Sequence, residues 1–240
     1  MPVVDAPAKL TRRLHVTGVR PDGFHLIDAE MVTLDLCDRL AIEPEGRGLR
    51  ATGPFAAGVP LDESNLVARA LLLAGRQAAV VIDKQIPHGG GLGGGSADAA
   101  AVLRWAGYRD LEGASRLGAD IAFCLVGGRA HVRGIGEIVD PLPHLPLDVT
   151  LVVPPLSVST PAVYRAWDEM GGPTGHVNDL EPAAIAVVPA LAVWRDRIEA
   201  VTGLAPTLAG SGATWFVEGH HMSARALEPE ATVVLTRTRS

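Results

Sequence analysis

Cysteine is scarce in this sequence: Cys37 and Cys124 are the only two in 240 residues, and they lie far apart. Two distant thiols predict neither a disulfide framework nor a zinc site, so we expect both to be buried and free. The chain also lacks an apolar run long enough to span a membrane, and its N-terminus has no charged region followed by an apolar core. These absences predict a cytoplasmic protein with no membrane partner.

Acidic residues outnumber basic ones, and the formal net charge is -6 at pH 7. Such a balance provides no basic patch by itself and argues against nucleic acid as a partner. Only two of the 21 basic side chains are lysines, Lys9 and Lys84. Lysine is a compact, strongly hydrated charge whose pKa can move. We expect both lysines to face phosphate or the reacting centre; the alternative is that two lysines survive by chance.

Hydrophobic residues make up 48% of the chain, which predicts a globular protein with a real core. Apolar stretches at residues 12–18 and 29–43 have the pattern of strands, and helical and strand patterns then alternate irregularly. A proline-rich patch at residues 141–146 marks a candidate boundary. The sequence therefore predicts an α+β fold in two parts, residues 1–145 and 146–240.

The most unusual segment is glycine-rich: six of the seven positions 89–95 are glycine, and alanine-rich sequence follows Ser96. A bare backbone leading into a helix suits phosphate, because the helix N-terminus presents free N–H groups. A flexible linker is the plainer alternative, but linkers rarely run directly into a helix. No lysine separates Gly95 from Ser96, so the P-loop pattern fails. A dinucleotide fingerprint matches Gly89, Gly91 and Gly94, but the preceding strand does not run straight into the glycines.

Five segments occur in a telling order: APAKL (6–10), RPDGFH (20–25), IPHGGGLGGGSADAA (86–100), LGADIAF (117–123) and LAGSGATWF (208–216). They resemble the GHMP kinase superfamily, and RPDGFH, NDLEP and STPAVY favour its kinases of the non-mevalonate isoprenoid pathway. The resemblance implies an N-terminal domain like domain 2 of ribosomal protein S5 and a ferredoxin-like C-terminal domain. It also implies ATP-dependent phosphorylation of the 2-hydroxyl of a methylerythritol linked to cytidine diphosphate.

The resemblance implies a catalytic pair, with Asp120 as the base on the acceptor hydroxyl and Lys9 beside it. It implies that the ATP phosphates lie in the glycine loop. The implied ATP-binding residues are Asn65, Lys84, Pro87, Gly89, Gly90, Gly91, Leu92, Gly93, Gly94, Gly95 and Ser96. We expect Ser96 to cap the helix and to reach Mg²⁺. Without the resemblance, Asp120 and Ser96 would be plain caps, and Asn65 a polar residue of a first helical turn.

The resemblance also implies an acceptor site. Phe24 and His25 would recognise a cytosine, with Tyr164 supplying the opposing ring. The second glycine turn, Gly210, Ser211 and Gly212, would lie on the substrate side of the cleft. The plainer alternative makes Phe24 and Tyr164 ordinary core aromatics and His25 a surface histidine.

Some features depart from the resemblance. The opening motif usually continues with Asn-Leu after the lysine, whereas Leu10, Thr11, Arg12 and Arg13 follow here. The segment after Trp105 and the C-terminus are also short. Two further hypotheses therefore stay open: a GHMP kinase for another small alcohol, of homoserine or mevalonate type, and a non-catalytic ATP-binding paralogue. A monomer and a homodimer are equally compatible with the sequence.

Overall fold

The computed structural model describes residues 1–173 and 175–240. The strands in these residues are β1 (Val3–Val19), β2 (His25–Glu43), β3 (Gly48–Thr52), β4 (Ala79–Asp83), β5 (Arg129–Gly134), β6 (Ile138–Leu142), β7 (Asp148–Val153), β8 (Thr207–Leu208), β9 (Trp215–Glu218) and β10 (Thr232–Arg239). The helices are α1 (Leu66–Leu73), α2 (Gly94–Trp105), α3 (Leu111–Ser115), α4 (Ala119–Val126), α5 (Thr160–Glu169), α6 (Glu181–Val187), α7 (Ala190–Thr202) and a 3₁₀-helix, η1 (Met222–Leu227). The predicted α+β class is confirmed.

Strand β2 organises the sheet, because it pairs antiparallel with β1, β4, β5 and β10 along different parts of its length. Strand β3 adds parallel to β4, and β5 and β6 form an antiparallel hairpin. Helix α2 buries Ala97 and the run 99–103 against this sheet and its neighbouring helices. The small alanine side chains let the helix axis lie close to the strands, so the loop before α2 is held against β1.

Strand β1 is longer than the sequence pattern predicts and is irregular. Its pairing with β2 shifts register between Pro7 and Lys9 and again between Thr11 and Arg13. Bulges of this kind re-aim side chains and recur beside active sites. As a result residues 8–11 are all buried, instead of alternating in and out. A regular strand would have sent either Lys9 or its neighbours to the opposite face.

The N-terminus of α2 differs from the expectation that Ser96 caps it. The N-cap is Gly93, which adopts a left-handed backbone with φ 69°, and Ser96 is the third residue of the helix. Helix α1 is capped by Asn65, whose side chain accepts from the Val67 N–H at 2.8 Å. Asp62 accepts from Ser64 and closes the preceding turn.

The C-terminal strands form an antiparallel sheet in the spatial order β10-β7-β9-β8. With α5 to α7 after β7 and η1 before β10, the chain follows a βαββαβ plan of the ferredoxin-like type, in which a 3₁₀-helix replaces the second long helix. Strand β10 then returns to β2, pairing Thr238 with Leu34. This shared strand joins the two parts of the sheet, and the division at residue 145 stays a prediction.

The cysteines and the lengths of the helices can be compared with the predictions from the sequence. Both cysteines are free; Cys124 is buried as expected, whereas Cys37 is only half-buried. Burial raises the pKa of the Cys124 thiol to about 12, so it stays protonated. In residues 1–173 and 175–240, no helix has the length and apolar content needed to cross a membrane.

Candidate active site

The structure brings the two predicted catalytic side chains together. Lys9 lies on β1 and Asp120 in the first turn of α4, and the Lys9 Nζ is 3.3 Å from the Asp120 Oδ2. The lysine side chain is only 5% exposed, while that of Asp120 is 31% exposed and lines a cavity of about 670 Å³. A carboxylate open to a cavity beside a fixed ammonium is the arrangement that deprotonation of a bound hydroxyl requires.

The residues that depart from the expected opening motif have defined partners. Thr11 is buried and its Oγ1 accepts from the Lys9 Nζ at 3.1 Å, so its hydroxyl helps to fix the ammonium. Arg12 donates to Glu30 on β2 and, at 2.6 Å, to Glu218 on β9. Arg13 points outward and is exposed. The bulge at Arg12 therefore accommodates both charges without placing either in the core.

The glycine loop is bare partly because the protein itself fills the space around it. A Cβ on Gly93 would lie 2.8 Å from the Lys9 Cγ, and one on Gly91 would lie 2.7 Å from the Ala209 carbonyl oxygen. Gly89 has no such neighbour within 4 Å. The resemblance implies a ligand contact for all six glycines, whereas Gly91 and Gly93 are required because the loop packs on Lys9 and on the second glycine turn.

The second glycine turn is held in place by a residue to which the motif pattern assigns no role. Asn178, of the NDLEP segment, is 2% exposed and its Nδ2 donates to the carbonyl oxygens of Leu208 and Gly210. The next residue, Asp179, accepts from the Val16 N–H on β1 at 3.0 Å. The turn thereby brings Gly210, Ser211 and Gly212 to the same cavity as Lys9. The signal that the sequence offers for this role is the adjacent pair Asn178 and Asp179, just before α6.

Lys84 has different partners from the phosphate expected from the sequence. It is 3% exposed, and its Nζ donates to Asp38 and, at 2.7 Å, to Asp98. Asp38 also accepts from the Ile86 N–H at 2.8 Å. This buried ion cluster lies beneath the start of α2, since the Lys84 Nζ is 3.4 Å from where a Cβ on Gly94 would be. The cluster therefore holds the segment before the glycine loop against β2 and the first turns of α2.

Three other residues predicted to bind ATP are Asn65, Pro87 and Leu92. Asn65 uses its Oδ1 to cap α1 and its Nδ2 to donate to the Pro60 carbonyl at 2.6 Å, so a nucleotide contact from this amide would replace one of these bonds. Pro87 is buried at the base of the loop. Leu92 is 1% exposed and its carbonyl accepts from the Lys9 N–H at 3.0 Å, so it anchors the loop to β1.

The buried cluster makes stability depend on pH. Burial raises the pKa of Asp98 to about 7, with Lys84 opposing the shift. The folded chain therefore binds more protons than the unfolded chain between pH 4 and 7, and the contribution of this group is lost as pH rises through that window. We expect Asp98→Asn to gain stability relative to the wild type from pH 4 to 7, by a few kcal/mol at most, and to level off above it.

Urea unfolding at half-unit pH steps measures this difference. Asp62→Asn is the control, because hydrogen bonds from Ser64 lower the pKa of Asp62 and its effect should be constant across the same window. The difference in the free energy of unfolding between the wild type and Asp98→Asn should change with pH. A constant difference would contradict the raised pKa of Asp98.

The acceptor end of the cavity contains an aromatic group. Tyr164 stacks on His25, with ring centroids 4.5 Å apart. Trp167 meets the same imidazole edge-on at 5.8 Å. Phe24 also lines the cavity but is 57% exposed, so it is not a core residue. Burial raises the pKa of the Tyr164 phenol to about 12, which keeps it a neutral donor.

We expect Phe24→Ala to raise the acceptor KM by roughly tenfold or more with kcat unchanged, because stacking on a base contributes about 1–3 kcal/mol. The unfolding temperature should stay within about 2 °C of the wild type, since little apolar area is lost from the interior. Leu72→Ala is the control, because Leu72 is 81% exposed and lies outside the cavity lining. Loss of folding in Phe24→Ala would show a packing role instead.

Comparison with known proteins fits this geometry. The family model for the GHMP kinases N terminal domain matches residues 65–128, which include the glycine loop and Asp120. The chain is 43% identical over 235 residues to the 4-diphosphocytidyl-2-C-methyl-D-erythritol kinase of Paracoccus denitrificans (strain Pd 1222), covering 88% of this chain and 84% of that protein. The chain belongs to the 4-diphosphocytidyl-2-C-methyl-D-erythritol kinase family.

Other relatives agree. Identity is 39% over 239 residues to the kinase of the same name from Jannaschia sp. (strain CCS1), covering 88% of this chain and 86% of the relative. A crystal structure of 4-(cytidine 5'-diphospho)-2C-methyl-D-erythritol kinase matches with TM-score 0.79 and 33% identity over 100% of both chains. Mevalonate kinase of L. major matches with TM-score 0.66, over 100% of this chain and 96% of that one, but at 14% identity it shows the fold alone. The chain thus has the GHMP kinase fold and is a small-molecule kinase.

Proposed function

We propose that this chain transfers the γ-phosphoryl group of ATP to the 2-hydroxyl of 4-diphosphocytidyl-2-C-methyl-D-erythritol, in the non-mevalonate route to isoprenoid precursors. One observation carries the proposal: the Lys9 and Asp120 side chains, 3.3 Å apart, line the same cavity as the His25–Tyr164 stack. A reacting pair and an aromatic subsite in one cavity suit a polar alcohol attached to a nucleoside.

The chain's residues divide the work of phosphoryl transfer. Asp120 accepts the proton of the acceptor hydroxyl. The oxygen of that hydroxyl then attacks the γ-phosphorus as the bond between the γ-phosphorus and the ADP oxygen breaks. Lys9, fixed by Thr11, neutralises charge on the reacting oxygens. The loop at residues 89–95 packs against the glycine turn at 210–212, and both line the site, so their contact aligns donor and acceptor.

The loop fits a triphosphate. Its N-cap, Gly93, has no side chain to satisfy the first N–H groups of α2, so these remain available to an anion together with the helix dipole. We further propose that ATP binds with Mg²⁺. In the described residues no group of three or more His, Cys, Asp or Glu could hold a metal, which suits an ion held mainly by phosphate oxygens and water. The Ser96 hydroxyl is a hard oxygen donor in the first turn of α2 and would contribute one ligand.

An acceptor assay tests the proposal. Purified full-length chain with ATP and Mg²⁺ should phosphorylate 4-diphosphocytidyl-2-C-methyl-D-erythritol, and homoserine and mevalonate should react at least about a hundredfold more slowly in kcat/KM. Turnover of homoserine or mevalonate instead would support the other small-alcohol hypothesis. ATP binding without turnover of any acceptor would support the non-catalytic paralogue. The cytoplasmic location and the monomeric or homodimeric state stay predictions.

A further inference from the structure

The His25 side chain has a hydrogen-bonding partner besides the aromatic rings that surround it. Its Nε2 lies 2.8 Å from the Oδ1 of Asp168, on α5, and the imidazole is only 10% exposed. Tyr164 covers one face of the ring and Trp167 meets its edge, both from the same helix. Because His25 begins β2 and Asp168 lies 143 residues later, this contact joins the two parts of the chain at the acceptor end of the cavity.

The contact fixes the chemistry of the ring. An ionised carboxylate can only accept, so Nε2 must carry the hydrogen and donate it to Asp168. In a neutral imidazole the other nitrogen, Nδ1, is then an acceptor. Within residues 1–173 and 175–240, Nδ1 has no hydrogen-bond partner, and His25 lines the cavity. The ring therefore offers an acceptor to a ligand placed there.

We propose that Asp168 is a positioning residue that holds His25 in its Nε2-protonated form, so that Nδ1 selects a base bearing an exocyclic amine. The inference rests on the proposed function, in which the acceptor carries cytosine. Cytosine presents an N4 amine as a donor, whereas a uracil presents a carbonyl oxygen at the same position and meets the Nδ1 lone pair with repulsion. Asp168 thus contributes base specificity through His25.

The experiment compares Asp168→Ala and Asp168→Asn with the control Glu169→Ala, which removes an adjacent exposed carboxylate from the same helix. Each full-length variant is assayed with 4-diphosphocytidyl-2-C-methyl-D-erythritol and with its uridine analogue. Nitrogen-15 NMR of histidine-labelled protein reads the tautomer of His25 directly, without substrate. Asp168 is 45% exposed, so its replacement should leave the fold intact.

We expect Asp168→Ala to raise the KM of the cytidine acceptor about tenfold, to leave kcat and the KM for ATP unchanged, and to narrow the cytidine-to-uridine ratio of kcat/KM by about tenfold. The NMR signal of His25 should change from a single Nε2-protonated form to a mixture. Asp168→Asn, whose amide oxygen still accepts, should stay within about threefold of the wild type, as should Glu169→Ala.

Three results would overturn the inference: a protonated Nδ1 in the wild type, an unchanged base ratio in Asp168→Ala, or an equal effect of Glu169→Ala. Failure of the proposed function would look different. In that case the wild type would not turn over the cytidine acceptor at all, while the NMR spectra would still report whether Asp168 sets the tautomer.

Discussion

Asp120→Asn is expected to lower kcat by about 10²–10⁴ while the affinity for ATP stays within about twofold of the wild type. The amide keeps the size of the carboxylate but cannot take the acceptor's proton. Because Asp120 is in the first turn of α4, its charge also interacts favourably with the helix dipole, and losing that interaction costs about 0.3–1 kcal/mol. Steady-state kinetics, with calorimetric titration of ATP, separate the two effects.

Asp110→Asn provides the matched control for Asp120→Asn. Asp110 is the N-cap of α3 and accepts from the Gly113 N–H at 3.1 Å, which an asparagine oxygen can also do. Activity in the Asp110 variant should therefore be that of the wild type. If Asp120→Asn retained full turnover, Asp120 would be a structural residue of the helix N-terminus, and the catalytic assignment would fail.

Lys84→Met is expected to destabilise the fold by about 3–5 kcal/mol, because it leaves Asp38 and Asp98 buried without their cation. Asp38 is 0% exposed and fixed by the Gln85 and Ile86 N–H groups, so it cannot turn to solvent. Urea unfolding followed by circular dichroism measures the loss. Adding Asp98→Asn in the same chain should recover part of it, since two carboxyl groups then no longer lie buried together without a cation.

The other lysine supplies the comparison. Lys9→Met should abolish most activity but destabilise the fold far less, because the Asp120 side chain is 31% exposed and can be solvated. The two variants also separate the two accounts of Lys84. A weaker affinity for ATP with unchanged stability in Lys84→Met would mean that its ammonium faces phosphate, as the sequence pattern suggests, and not the buried carboxylates.

The local elements were predictable where the signal lies within a few consecutive residues. The glycine run followed by alanines predicts a loop and a helix, and α2 begins at Gly94 and ends before a left-handed Gly107. The ends of the elements were less predictable: β1 is longer than its apolar pattern, and Gly93 caps α2 in place of Ser96, because several neighbouring residues could cap equally well.

The candidate site was predictable in part. The resemblance carried by the motifs named Lys9 and Asp120, and the fold places them 3.3 Å apart although 111 positions separate them in the sequence. The partner of Tyr164 could not be predicted, because a ring in β2 and a ring in α5 meet only through the docking of one element on the other. The roles of Asn178 and Asp168 could not be predicted for the same reason, because their partners are distant in the sequence.

By itself the sequence determined the α+β class, the glycine loop with its helix, and a short set of chemically suited side chains, since each depends on local backbone preference or residue chemistry. Only the tertiary structure decided which side chain meets which. It placed Lys84 between two carboxylates and left Lys9 facing the cavity, because the bulges of β1 and the burial of β4 set their directions. Partner choice depends on strand register and packing between distant segments, which residue identity does not encode one position at a time.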